Sequence, residues 1–94
     1  MKKATYKVTG GKMIRVSLGE SNGKIQEIKI TGDFFLHPEE LINELEDMLV
    51  GKPLNVQDLT SSIDVLMENR DATLLGASSK DIVKCILIAG GRDG

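Results

Sequence analysis

Five groups in this chain have the residue types that chemistry uses: Cys85, His37, Asp33, the triplet Gly10-Gly11-Lys12, and the acidic run Glu39, Glu40, Glu44, Glu46, Asp47. Cys85 is the single cysteine, and as a thiolate it could accept sulfur. That use needs exposure and a positive neighbourhood. Cys85 stands in Ile82-Val83-Lys84-Cys85-Ile86-Leu87-Ile88, where a small buried hydrophobe is the simpler reading. His37, the single histidine, precedes Pro38 at a helix start and suits a capping or surface position. No serine or aspartate is arranged with it as a nucleophile pattern requires. Asp33 follows Gly32 in a tight corner, where an aspartate bonds neighbouring backbone amides; a partner or active-site contact is the alternative. Gly10-Gly11-Lys12 has some likeness to a phosphate loop, but such a loop runs GxxxxGK-S/T from a strand into a helix. Here the glycines join two strands. The acids read as the solvated face of a helix, with no isolated carboxylate pair for general acid–base work. No catalytic, cofactor-binding or metal-ligating residue is assigned. One cysteine excludes an internal disulfide and a Cys-only metal site.

The elements that would position these groups fall in two halves. Tyr6-Lys7-Val8-Thr9 alternates as a strand does, and Gly10-Gly11 supplies a turn. Ile14, Val16 and Leu18 share one parity against Arg15 and Ser17, a half-buried strand. Asn22-Gly23 is the strongest short hairpin signal. Ile28 and Ile30 continue a third strand, and the wrong parity of Ile25 marks a bulge near the turn. The spacing then turns helical. Pro38 takes a first helical position with acids in the first turn, and Leu41, Ile42, Leu45, Met48 and Leu49 form one face. Gly51 and Pro53 end that helix. Asn55 caps a second, with Val56, Leu59, Ile63, Leu66 and Met67 as its stripe. Asp71 to Ala77 is a connection holding two buried leucines, Leu74 and Leu75. Ser78 caps a third helix with Asp81 at its third position; Ile82, Val83, Ile86 and Leu87 face inward, and Gly90-Gly91 stops it. The fold class is α+β: a three-stranded antiparallel meander whose apolar face is covered by about three helices.

Ninety-four residues make a single domain, 1–94. Such a chain buries roughly 60–65% of its unfolded surface and folds without much margin. A net charge of −2, with no long basic segment and no interleaving of aromatic and basic residues, speaks against nucleic acid. The N-terminus lacks the apolar run of a signal peptide, and no apolar run is long enough to span a bilayer. With one cysteine, the expected compartment is reducing and cytoplasmic.

The stretch least like a generic small domain is Ile28-Lys29-Ile30-Thr31-Gly32-Asp33-Phe34-Phe35. Both phenylalanines of the chain stand side by side after a Gly-Asp turn. Neighbours on an extended segment point opposite ways, so one ring packs inside and the other is offered outward. With no catalytic groups elsewhere, Gly32, Asp33, Phe34 and Phe35 are the candidate partner-docking corner.

Gly10-Gly11-Lys12-Met13-Ile14-Arg15-Val16, Asn22-Gly23-Lys24-Ile25, the segment Ile28 to Phe35, and Pro38-Glu39-Glu40 together resemble the small C-terminal domain of the lipoate–protein ligase family. The resemblance runs over nearly the whole chain and is most specific at Ile30-Thr31-Gly32-Asp33-Phe34-Phe35. It implies a fold similar to the iron–sulfur scaffold and sulfur-acceptor proteins. Those proteins use several metal-binding cysteines or one exposed reactive cysteine, and this chain matches neither pattern. In the family, the glycine-rich loop and lysine that handle nucleotide and carboxylate lie in a larger catalytic domain; nothing here matches them. Because Met1 stands just before the first strand, the expectation is the separate small subunit of a split ligase of archaeal type. The resemblance then implies an accessory, non-catalytic chain paired as a heterodimer with a catalytic large subunit. It would be required for ATP-dependent activation of lipoate to lipoyl-AMP, before transfer to lysines of acceptor domains. Lipoate, ATP and Mg are implied for the complex, and none for this chain alone; no nucleic acid and no membrane are implied. The rival reading is a sulfur-relay or iron–sulfur accessory protein acting through Cys85.

Overall fold

The computed structural model describes residues 1–92. Strands β1 (Lys2–Lys7), β2 (Met13–Ser21) and β3 (Lys24–Gly32) form an antiparallel meander in that order. β1 begins four residues earlier than the alternation at Tyr6–Thr9 suggests. Lys2 through Lys7 pair with Leu18 through Met13, whereas Val8 already belongs to the turn, its N–H donating to the Lys12 carbonyl at 2.7 Å. The Asn-Gly hairpin is present, with Asn22 at φ 55° and Gly23 at φ 76°, the left-handed pair that a two-residue turn requires. The bulge is present too. Gly19 pairs with Glu27 while Glu20 pairs with Ile25, so Gln26 is the extra residue, and the inserted step turns Ile25 back into the core.

Ile14, Val16 and Leu18 of β2 join Ile25, Ile28 and Ile30 of β3 on the buried face. Helix α1 (Leu41–Leu49) lies along β3, α3 (Ser79–Ala89) lies across β1 and β2, and α2 (Val56–Asn69) rests on α3 and α1. Leu45, Leu49, Leu59, Ile63, Ile82, Val83 and Ile86 complete the core. The caps are those read from the sequence. Asn55 accepts from the Gln57 and Asp58 amides at 3.0 and 3.1 Å. Ser78 and Asp81 close a reciprocal capping box.

Four expectations are corrected. Pro38 does not begin a helix; the His37–Pro38 peptide is cis, and α1 starts at Leu41 after a turn in which the Leu41 N–H donates to the Pro38 carbonyl. Glu46 is not on the solvated face. It is 8% exposed, and its Oε2 accepts the Ile30 N–H at 2.7 Å, filling a position on the open edge of β3. Val56 heads the predicted stripe of α2 yet is exposed, lining a groove between α2 and α3 beside Lys80, Lys84 and Leu87. The connection after α2 contains a strand: β4 (Phe35–His37) and β5 (Thr73–Leu75) pair as a second, two-stranded sheet. Its Leu74 is half-buried and its Leu75 is exposed.

The edge of β3 has a second cover. The Ile25 N–H donates to the Lys52 carbonyl at 2.9 Å, the Gly51 N–H to the Ile25 carbonyl at 2.7 Å, and the Leu54 N–H to the Gly23 carbonyl at 3.1 Å. The α1–α2 connection thus runs along the start of β3. Arg92 bonds Glu20 at 2.7 Å and Lys2 bonds it at 3.2 Å. Arg92, with a smaller pull from Lys2, holds the Glu20 carboxyl below its usual range.

Candidate functional site

The corner at the end of β3 is built by close backbone approach. A side chain at Gly32 would collide with the Met13 carbonyl oxygen and with the Phe34 ring, so only glycine lets the strand end there. The Asp33 N–H donates to that same Met13 carbonyl at 2.8 Å. The Asp33 carboxylate is exposed and makes no bond to backbone amides among the described residues; the bond at this position is the backbone's own. Phe34 is half-buried and packs on the core, while Phe35 is 47% exposed. The two rings divide as their adjacency on an extended segment requires.

What fixes Phe35 is the small β4–β5 sheet. Phe35 pairs with Leu75, Leu36 with Leu74, and His37 with Thr73. Leu36 is buried, which turns Phe35 and Leu75 to the opposite face. Leu75 is 60% exposed, so the outward face carries an adjacent apolar pair, Phe35 beside Leu75. A groove bordered by Gly32, Phe34, Phe35, Glu39 and Ile42 continues this surface toward α1. The sequence reading found Gly32 through Phe35 and missed Leu75, Glu39 and Ile42. Leu75 is brought to the site by strand pairing across the two intervening helices, a contact that no local pattern announces.

Residues 2–86 match the family described as bacterial lipoate protein ligase C-terminus. The chain belongs to that family. Among relatives, Lipoate-protein ligase A subunit 2 of Thermoplasma acidophilum is 50% identical over 42 residues, an alignment spanning 45% of this chain and 45% of the relative. The chain is thus matched to less than half of that curated relative's length. A solved structure from the same organism aligns with a TM-score of 0.77 at 31% identity, over 89% of this chain and 91% of the other. It comes from work on an archaeal lipoylation system, a bi-partite lipoate protein ligase and its E2 lipoyl domain. The α+β fold, with its meander and three helices, is that of the lipoate protein ligase C-terminal domain.

In this lipoate protein ligase C-terminal domain, the groups with chemical potential are set to structural tasks. Cys85 is fully buried where α3 crosses the sheet, with its thiol 3.5 Å from the Ile14 carbonyl and 3.7 Å from the Ala4 carbonyl. Burial pushes the thiol up to about 11, against a smaller opposing pull from the Tyr6 and Val16 backbone. A sulfur relay needs an accessible thiolate, and Cys85 offers neither access nor charge. Gly10 and Gly11 both have positive φ in a loop between β1 and β2. No helix N-terminus follows them, so the phosphate-cradling geometry is absent. His37 is exposed on β4. No trio of His, Cys, Asp or Glu among the described residues is placed to hold a metal ion. No described helix is long and apolar enough to cross a membrane.

Charge is partitioned more sharply than the net value of −2 conveys. Residues 1–31 carry seven basic and two acidic side chains, and residues 33–71 carry ten acidic and two basic. Basic residues dominate no long segment, yet the sheet layer is net basic and α1 and α2 are net acidic.

Proposed function

We propose that this chain is the small, accessory subunit of a two-subunit lipoate–protein ligase. It docks on a catalytic large subunit through the Gly32–Phe35 corner and is required for ATP-dependent activation of lipoate to lipoyl-AMP. Transfer of the lipoyl group to acceptor-domain lysines follows on the large subunit. The observation that carries the reading is the exposed Phe35–Leu75 pair on a chain of this family. Aromatic anchors in apolar surroundings dominate stable interfaces. The likeness to a bi-partite ligase supports the two-chain arrangement.

In this reading the nucleotide, lipoate and Mg belong to the complex, and no described cluster of this chain suits them. Its one glycine pair with a lysine is a strand-to-strand turn, and its acids are dispersed or engaged, as Glu46 is with the Ile30 amide and Glu44 with Arg70. The chain's contribution is therefore positional. Attack of a carboxylate on an α-phosphate depends on orientation and on fixed charge at the reacting atoms; a docked domain supplies this by ordering the partner's catalytic loops. The test is lipoate-dependent exchange of pyrophosphate into ATP. The large subunit alone should be inactive and the mixture active. Exchange by the large subunit alone at the full rate of the mixture refutes the role. With preformed lipoyl-AMP, transfer should proceed without this chain.

A further inference from the structure

Phe35 stands between two unlike borders. On its β5 side, Gly76 follows Leu75, and the Lys12 side chain lies against it: a methyl added at Gly76 would come within 3.4 Å of Lys12 Cγ and 3.7 Å of its Cε. On its α1 side runs the groove that Glu39 and Ile42 border, with a volume of about 400 Å³. That lies within the range of pockets that enclose small molecules, roughly 300–1,000 Å³. Lys12 and Glu39 are both exposed, and neither is in an ion pair among the described residues. One patch therefore carries an exposed ring, a hollow able to take a ring, a cation on one side and a carboxylate on the other.

We infer that the free chain pairs with a second copy of itself through this corner, as a closed two-fold dimer, and that this pairing excludes the large subunit. The exclusion rests on the docking role proposed above; the pairing does not. A two-fold contact uses one patch twice, so the patch must complement itself. This one does. A two-fold axis beside Phe35 sends each ring into the other copy's groove and sets each Lys12 against the other copy's Glu39. Both members of that charge pair belong to this chain, so the complementary surface is already on the molecule. The contact is also weak. Phe35 and Leu75 are the exposed apolar anchors at the corner, whereas a standard interface engages roughly 20–30 residues a side. Its Kd should lie above about 1 μM, so a larger interface with the catalytic subunit displaces it. At low concentration the corner is open. When the subunit is in excess, the corner is covered by its equal, and assembly draws on the monomer.

Sedimentation of the full chain between about 10 μM and about 1 mM reads the pairing. The mass should rise from 10.2 kDa toward twice that value. Added large subunit should convert the dimer into a complex holding one copy of this chain. Phe35→Ala should stay monomeric across the range. Lys12→Glu should weaken pairing about tenfold at low salt, because it sets a like charge against Glu39, and Glu39→Lys should do the same against Lys12. The two substitutions combined should restore pairing, a recovery that damage to the fold would not produce. A chain that stays at 10.2 kDa throughout overturns the inference and leaves docking on the large subunit standing. A dimer that persists in Phe35→Ala overturns it, as does a combined charge exchange that pairs no better than either single variant. A complex in which the large subunit holds the intact dimer overturns the exclusion. Pairing lost in Phe35→Ala, with affinity for the large subunit unchanged, supports the self-pairing and refutes the docking role of the corner.

Discussion

Replacing Phe35 by alanine separates docking from folding. Phe35 retains 47% of its surface in the isolated chain. An aromatic side chain offers roughly 150–250 Å², so about 70–120 Å² is available for a partner to cover. At about 25 cal/mol per Å², that area is worth about 2–3 kcal/mol, or about 30- to 150-fold in Kd. The same substitution removes little from the chain's own core, because Phe35 lies on the outward face of β4, opposite the buried Leu36, and outside the core cluster; stability should fall by about 1 kcal/mol or less. Phe34→Ala is the internal contrast. Its ring lies against Gly32 and packs on the core, and its loss should cost about 2–4 kcal/mol of folding stability, near the lower end for a buried phenylalanine. Calorimetric titration of each folded variant into the large subunit, beside a denaturant melt of the free chain, gives both numbers. If Phe35→Ala binds within about twofold of the unaltered chain, the 2–3 kcal/mol worked above is absent and the corner is not the docking surface.

Three further outcomes are expected. Glu46→Ala should leave the Ile30 N–H without its partner and cost about 1–3 kcal/mol, a fall of several degrees in Tm, with Glu46→Gln milder because an amide oxygen still accepts; equal melts for Glu46→Ala and the unaltered chain refute this. Cys85 should label with iodoacetamide only as fast as the chain unfolds. With the folded thiol raised to about 11 from an ordinary 9.0, the unfolded chain releases its thiol proton first as pH rises, so stability should decline between those values. Cys85→Ala should lack that part of the decline; matched pH profiles for the two refute it. Gly32→Ala should disturb the end of β3, because the added methyl meets the Met13 carbonyl, and should lower stability and partner affinity together; loss of neither refutes the account of the corner.

What the sequence disclosed was local. The Asn22-Gly23 turn, the bulge that restores Ile25, and the Asn55 and Ser78 caps depend on residues within a few positions of one another, and each stands as read. What it withheld was set by distant partners. β4 and β5 are three residues each, too short to show an alternation, and they exist because they pair across α1 and α2. Leu75 was read as buried from its type, whereas its exposure follows from the parity that Leu36 and Leu74 impose. Glu46 sits within the apolar stripe of α1, four positions after Ile42 and three before Leu49. That placement was the available signal that its carboxylate turns inward, and reading the acids by sign alone passed over it. The candidate corner was legible at Gly32 through Phe35 as an oddity of packing; its second wall, Leu75, was not.

The two edges of the meander are finished differently, and this bears on how the chain behaves in solution before it meets any partner. One edge, β3, is sealed at Ile30 by Glu46 and at Ile25 by the Gly51–Lys52 segment. The other, β1, carries Lys2, Lys3 and Lys7 along its length. An exposed strand recruits further strands when its backbone groups are free and its charges few. Here one side is partly closed and the other repels a copy of itself, which disfavours strand-to-strand growth from the three-stranded sheet. The apolar corner at Phe35 and Leu75 can then stay open without the chain polymerising through this sheet.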